Sequence, residues 1–273
     1  MEKIKEALDR ARRERSAGQV AAPRRVEHAQ PAAGGQPAAA VRYTQTRVIP
    51  TDPQVLEHNR IIANRDRDPG ADAFRMLRTR VLQLMRSHRW NSLAVTSPGP
   101  GEGKSVTALN LAISLSREVN HTVLLVDLDL RRPTVHSLLG FENEIEVGIA
   151  DYMFTELPLS QVLINPGMDR LVILPGRDGQ EEASEMLSAP KMHQLIDDIT
   201  HRYPERLVIF DLPPVCTTDD VLAFSPLVDA FLLVVRDAGT RQQELRQAAE
   251  LLKDVNLAGT VLTMTDGVAG YPL

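Results

Sequence analysis

Cysteine is almost missing from this chain. Cys216 is its single thiol, which excludes an internal disulfide framework and fits a reducing cytoplasm. Long apolar runs are missing too: no stretch approaches the ~20 uninterrupted apolar residues of a membrane span. The first residues are charged rather than apolar, so no signal peptide is visible. The seven histidines are scattered, and no His/Cys/Asp cluster has metal-site spacing. A basic core is absent as well. Residues 1–50 hold ten Lys/Arg against five Asp/Glu, a balance of +5, so a net charge of −5 leaves −10 on the remainder. That excludes a general nucleic-acid binder for the core, while the basic head suits an acidic partner or an anionic membrane surface.

What is present suits a globular protein: 43% hydrophobic and 25% charged residues over 273 positions. Residues 1–15 suit a short helix, with Ile4, Leu8 and Ala11 in a narrow apolar stripe. Such a helix is marginal alone and needs a surface, either its own domain or a partner protein. Residues 16–50 are rich in Ala, Gly, Gln and Pro without periodicity and read as a flexible linker. Residues 51–265 carry the domain, and residues 266–273 form a short tail.

The domain is organised around Ser97-Pro98-Gly99-Pro100-Gly101-Glu102-Gly103-Lys104-Ser105. A short apolar run, Ser92–Thr96, precedes this turn, and an apolar helix beginning at Lys104 follows it. A helix start offers unpaired N–H groups and a positive dipole end. Glycines let backbone close around an anion, and Lys104 adds a full charge. Ser105 offers a hydroxyl to a magnesium ion bridging two phosphates. Pro98 stands where the strict P-loop pattern wants glycine. Even so, strand, turn and helix in that order read as a nucleoside-triphosphate cradle.

Two further strands end in carboxylates. His121–Leu130 closes on Asp127 and Asp129, spaced to share one side of an extended strand. Like charges that close need a cation or a proton between them, and Arg131 and Arg132 follow at once to offset them. The plainer reading is a strand ending in helix-capping aspartates. Arg206–Pro214 is an apolar strand ending in Asp211, placed to hold magnesium or its waters. Cys216, just beyond, reads as a spectator rather than a nucleophile. Upstream, Phe74, Leu77, Val81 and Leu84 mark a buried helix face, with Arg75 and Arg78 beside Asp72 free to face outward. Those arginines read either as a solvated face or as a subunit contact. Strands alternating with helices predict a P-loop NTPase-like α/β fold, a parallel sheet with helices on both faces after a flexible N-terminal extension.

Together, Ser97–Ser105, Leu124–Pro133 and Ile209–Pro214 resemble the bacterial tyrosine kinases, most closely the free-standing type found with exopolysaccharide biosynthesis. Asp72-Ala73-Phe74-Arg75-Met76-Leu77-Arg78 resembles that family's oligomerisation helix, with Asp where Glu is usual. The resemblance implies tyrosine autophosphorylation using ATP and magnesium, and a homo-oligomer in which one subunit's tail enters its neighbour's site. It also implies an activating membrane-bound polysaccharide co-polymerase or chain-length regulator that would recruit a cytoplasmic protein to the membrane's inner face.

By position, Pro100, Gly101, Glu102, Gly103, Lys104, Ser105 and Val106 would bind nucleotide, with Lys104 on the β/γ-phosphates. Ser105, Asp211 and Asp127 would hold the metal. Asp127 and Asp129 would sit by the transferred phosphoryl, one of them orienting or deprotonating the tyrosine hydroxyl. The family's tyrosine-cluster tail is reduced to Tyr271, the candidate phosphoacceptor; Tyr43, Tyr152 and Tyr203 are the other tyrosines. Thr263 stands where the family often has Asn, which leaves the adenine contacts open. The competing expectation is a nucleotide-switched regulator resembling the cell-division and partition ATPases. Those ATPases carry an extra lysine early in the cradle, where this chain has Pro98, Gly99 and Pro100.

Overall fold

The computed structural model describes residues 46–65, 68–203 and 205–265. The helix expected at residues 1–15, most of the linker, Tyr43 and the tail with Tyr271 lie outside them. In chain order the strands are β1 (Arg47–Val48), β2 (Ser92–Thr96), β3 (Thr122–Asp127), β4 (Ile164–Asn165), β5 (Leu171–Leu174), β6 (Arg206–Asp211), β7 (Ala230–Arg236) and β8 (Leu257–Thr263). The helices are α1 (Pro53–His58), α2 (Pro69–His88), α3 (Lys104–Ser116), α4 (Val135–Leu138), α5 (Ile149–Phe154), α6 (Leu159–Val162), α7 (Ala183–Ser188), α8 (Pro190–His201), α9 (Asp220–Phe224) and α10 (Gln242–Leu251).

The strands form one sheet in the order β1-β4-β5-β3-β6-β2-β7-β8. Pairing is parallel throughout except between β4 and β5. Alternation of side chains along each strand divides the core in two. Leu93, Val95, Val123, Leu125, Ile209 and Leu232 face one layer, packed under α2 and α3. Ala94, Leu124, Val126, Phe210 and Leu233 face the other, under α7, α8 and α10. Central strands buried on both faces have to read as continuous apolar runs, which is why β2, β3 and β6 were visible in the sequence.

Three expectations are corrected. The stretch read as linker through residue 50 ends in structure: β1 pairs with β4, and Ile49 is buried. These two-residue strands are too short to leave a periodic signal. On α2 the buried line runs through Val81, Leu82 and Met85; Leu84 lies outside it, and Phe74 and Leu77 pack from half-buried positions. The face is set by how α2 crosses its neighbours, not by the stripe alone. Finally, Arg78 does not face outward with Arg75. Its Nη1 donates to the Ser114 carbonyl at 3.2 Å and its Nε lies 3.1 Å from Glu118, so it braces α2 against the end of α3. Arg75 pairs with Asp72 on the outer face, beside the exposed Met76.

Candidate nucleotide site

The parallel register brings the three motifs to one edge of the sheet. β2 lies beside β6, β6 beside β3, and Asp127 sits directly opposite Asp211. The loop after β2 rises from that same edge, where parallel α/β sheets bind ligands.

The loop is held by its own polar groups. The Ser97 hydroxyl donates to the Gly99 carbonyl at 2.7 Å, and the Gly99 N–H donates to the buried Glu102 carboxylate at 3.1 Å. Burial pushes the Glu102 carboxyl upward, partly offset by hydrogen bonds that include the one from Gly99. Thr263, at the end of β8, donates its hydroxyl to the Glu102 carbonyl at 2.7 Å. Gly101 and Gly103 have φ of 74° and 85°, the left-handed region that other residues enter only at a cost. Pro100 and Gly101 are exposed, and Val106 is half-buried in the first turn of α3. That turn has no side-chain cap, so its N–H groups are left for an anion.

Below the loop stands a charged cluster. Lys104 Nζ lies 2.7 Å from Asp129, 3.5 Å from Asp211 and 3.0 Å from the Ser105 hydroxyl. Burial pulls the Lys104 ammonium downward, but Asp211 and Asp129 outweigh it, and the net shift is upward. Asp211 is wholly buried and its Oδ2 has no hydrogen-bond partner. Burial, with Asp211 close by, pushes the Asp127 carboxyl up to about 8. The orphaned Asp211 oxygen beside the Ser105 hydroxyl at the helix start fits a divalent cation. Among the described residues no group of three or more His, Cys, Asp or Glu side chains forms a ready metal cage. Ser105 and Asp211 would thus supply few ligands, leaving the rest to phosphate oxygens and water, as suits magnesium.

Asp127 and Asp129 do not divide the work as the strand spacing suggested. β3 ends at Asp127, and Asp129 lies beyond it in the loop. Asp127 Oδ2 accepts N–H bonds from Thr134 and Val135, both at 3.0 Å, and Oδ1 accepts from Asp129 N at 3.3 Å. The capping role thus belongs to Asp127, while Asp129 holds the lysine. Arg131 does not offset these charges. It reaches across to the buried Asp220, with Nε to Oδ2 at 3.0 Å and Nη2 to Oδ1 at 3.2 Å. Ser184 also donates to Asp220. This brace, tying the loop after β3 to α7 and α9, was missed in the sequence, as was the Thr263 strut. An Arg two residues past a paired-Asp motif was the available signal for the first; nothing marked the second. Cys216 is half-buried, its thiol facing the Glu244 carbonyl at 3.7 Å.

The site defines a nucleotide-binding P-loop protein. Residues 93–271 match the CobQ/CobB/MinD/ParA nucleotide binding domain, and the chain belongs to that family. Within it the resemblance to bacterial tyrosine kinases is borne out. The chain is 29% identical to the tyrosine-protein kinase YwqD of Bacillus subtilis over 197 residues, covering 72% of this chain and 81% of that protein. It is 27% identical to the succinoglycan biosynthesis transport protein ExoP of Rhizobium meliloti over 213 residues, 76% of this chain but only 26% of ExoP. The kinase domain of Escherichia coli tyrosine kinase ETK superposes with a TM-score of 0.69 at 25% identity, covering 83% of this chain and 91% of that one. The septum site-determining protein MinD of Pyrococcus horikoshii, solved with Mg-ADP, shares the fold, with a TM-score of 0.53 at 20% identity over 63% of this chain and 69% of that one.

Proposed function

We propose that this chain is an ATP-dependent protein tyrosine kinase of the bacterial type, acting in exopolysaccharide biosynthesis or export. The observation that carries the reading is the cluster of Lys104, Asp129, Asp211 and Asp127 under an uncapped helix start. Bound ATP with magnesium would supply the phosphoryl group and neutralise its charge. Lys104 would leave its carboxylates for the β/γ-phosphates, and Ser105 and Asp211 would hold the metal. Asp127 or Asp129 would orient the incoming phenol and take its proton, which matters because a hydroxyl of pKa ~10 attacks slowly when neutral. For Asp129 this requires giving up Lys104, the same movement that frees the lysine. Phosphoryl transfer of this kind is mainly positioning and charge neutralisation.

The finer proposals follow from the family resemblance. Tyr271 is the proposed acceptor, reaching a neighbouring subunit, with Asp72 and Arg75 in the subunit contact. Arg78 is committed to Glu118 and Ser114 in this chain, so its part in such a contact would be to stiffen α2. A membrane-bound polysaccharide co-polymerase is the proposed partner, recruiting the protein to the inner face of the membrane. No helix among the described residues is long and apolar enough to cross a membrane. Deleting residues 1–15 is expected to leave nucleotide affinity unchanged and to weaken co-sedimentation with partner-containing membranes; equal loss of both would place the segment inside the fold.

The likeness to MinD supports a second reading, an ATP-switched regulator that does not phosphorylate protein. Intact mass after incubation with ATP and magnesium separates the two. A phosphate gain on the chain is expected, and ATP turnover without any gain would favour the switch. In Tyr271→Phe the gain should vanish; if it persists, the acceptor lies elsewhere and the kinase reading stands.

A further inference from the structure

The opposite edge of the sheet carries a cavity that the nucleotide chemistry does not use. Its volume is about 360 Å³, within the range of small-molecule pockets. Asn91 and His121, just before β2 and β3, line it, so it lies at the beginnings of the strands whose far ends hold the phosphate cradle. A five-residue strand separates the two by roughly 17 Å.

The walls have two characters. Leu82, Met85 and Leu207 form an apolar floor, joined by Trp90, whose other neighbour is the stacked ring of His88 at 4.3 Å. Around them stand Arg86, Arg89, His121 and His201, and no acidic side chain lines the cavity. His201 is already paired with Asp197, and His121 Nδ1 faces the Glu205 carbonyl at 3.3 Å. His121 Nε2 is buried without a hydrogen-bond partner. Arg86 and Arg89 line the cavity from exposed positions at the end of α2. Asp229, a half-buried carboxylate at this end of the sheet, accepts from Asn91 N, Ser92 N and the Ser92 hydroxyl.

We propose that this cavity is a second ligand site, built for an aryl phosphate. Guanidinium forks match phosphate oxygens, and a tryptophan with aliphatic neighbours takes a flat ring. Inorganic phosphate would leave the apolar floor unused, and a neutral phenol would leave the arginines unused. An aryl phosphate can come from a phosphotyrosyl side chain or from a free small molecule; both present the same group. The ligand class rests on the cavity alone, and only the choice of phosphotyrosine as source rests on the kinase reading.

Trp90 is the single tryptophan, so its fluorescence reports this cavity directly. Titration of the full chain with phenyl phosphate is expected to change that signal saturably, with weaker responses to phenol and to inorganic phosphate. Arg86→Gln with Arg89→Gln should weaken phenyl phosphate binding by about tenfold or more, each arginine supplying a charge-assisted contact. Saturating ATP with magnesium should leave phenyl phosphate binding unchanged. Unchanged affinity in the arginine variant, or competition by ATP with magnesium, would overturn the proposal, the latter by placing the probe in the cradle. A peptide of residues 263–273 phosphorylated on Tyr271 identifies the source. Tighter binding than phenyl phosphate points to a phosphotyrosyl segment, and equal or weaker binding to a free aryl phosphate.

Discussion

Lys104→Met is expected to lower phosphoryl transfer by about 10³-fold or more, the scale of removing a fixed positive charge from a transferring phosphoryl group. The magnitude follows from the position of the ammonium. It is the one cation in contact with Asp129 and Asp211 among the described residues, and its side chain is only 11% exposed. Methionine keeps the length of the stem, so packing against the loop is largely retained while the charge is lost. The same change should destabilise the nucleotide-free chain by about 3–5 kcal/mol, because removing one partner strands buried carboxylates. Lys104→Arg keeps the charge but replaces a compact ammonium with a planar fork, and should restore stability better than activity. Rates of phosphate incorporation, set beside urea unfolding of the same variants, check both parts. Activity within tenfold of wild type in Lys104→Met would remove the lysine from the reaction.

The nucleotide-free chain, held in chelator, is expected to lose stability as pH rises from about 4 to about 8, by a few kcal/mol in all. Burial first, and the neighbouring Asp211 second, lift the folded Asp127 carboxyl from 3.8 to about 8. Asp211 is lifted in the same direction, again first by burial. A carboxyl raised on folding stabilises the folded state fully below its unfolded pKa and loses that contribution as pH climbs through its folded one. The window therefore runs between 3.8 and about 8 for Asp127. Asp127→Asn should flatten this slope. It should also cost some stability at low pH, since an amide nitrogen cannot accept all three N–H bonds that Asp129, Thr134 and Val135 now donate. Urea midpoints of wild type and variant across that range decide the matter. A slope unchanged in Asp127→Asn would mean that other groups carry the pH dependence.

Much of the site was readable in advance because each part announces itself locally. A helix that must start with free N–H groups needs glycines and a lysine at its mouth, and α3 begins at Lys104 as that reading required. Strands buried on both faces have to be apolar throughout, so a carboxylate at their end stands out; Asp127 and Asp211 are both such ends. The family resemblance added the chemistry that these residues serve.

Composition and residue order by themselves determined the layered α/β sheet, the cradle and the two strand ends that carry Asp127, Asp129 and Asp211. Those depend on dihedral preference, burial period and helix-end electrostatics, all set within a few residues of chain. Only the tertiary structure decided how the charges were paired. Arg131 left the adjacent aspartates for Asp220, 89 positions away, and Arg78 turned inward to Glu118. It alone also assembled the cavity around Trp90 from three separate segments at the far sheet edge. A charged side chain pairs with whatever opposite charge folding brings within reach, and that distance is a property of the packed molecule.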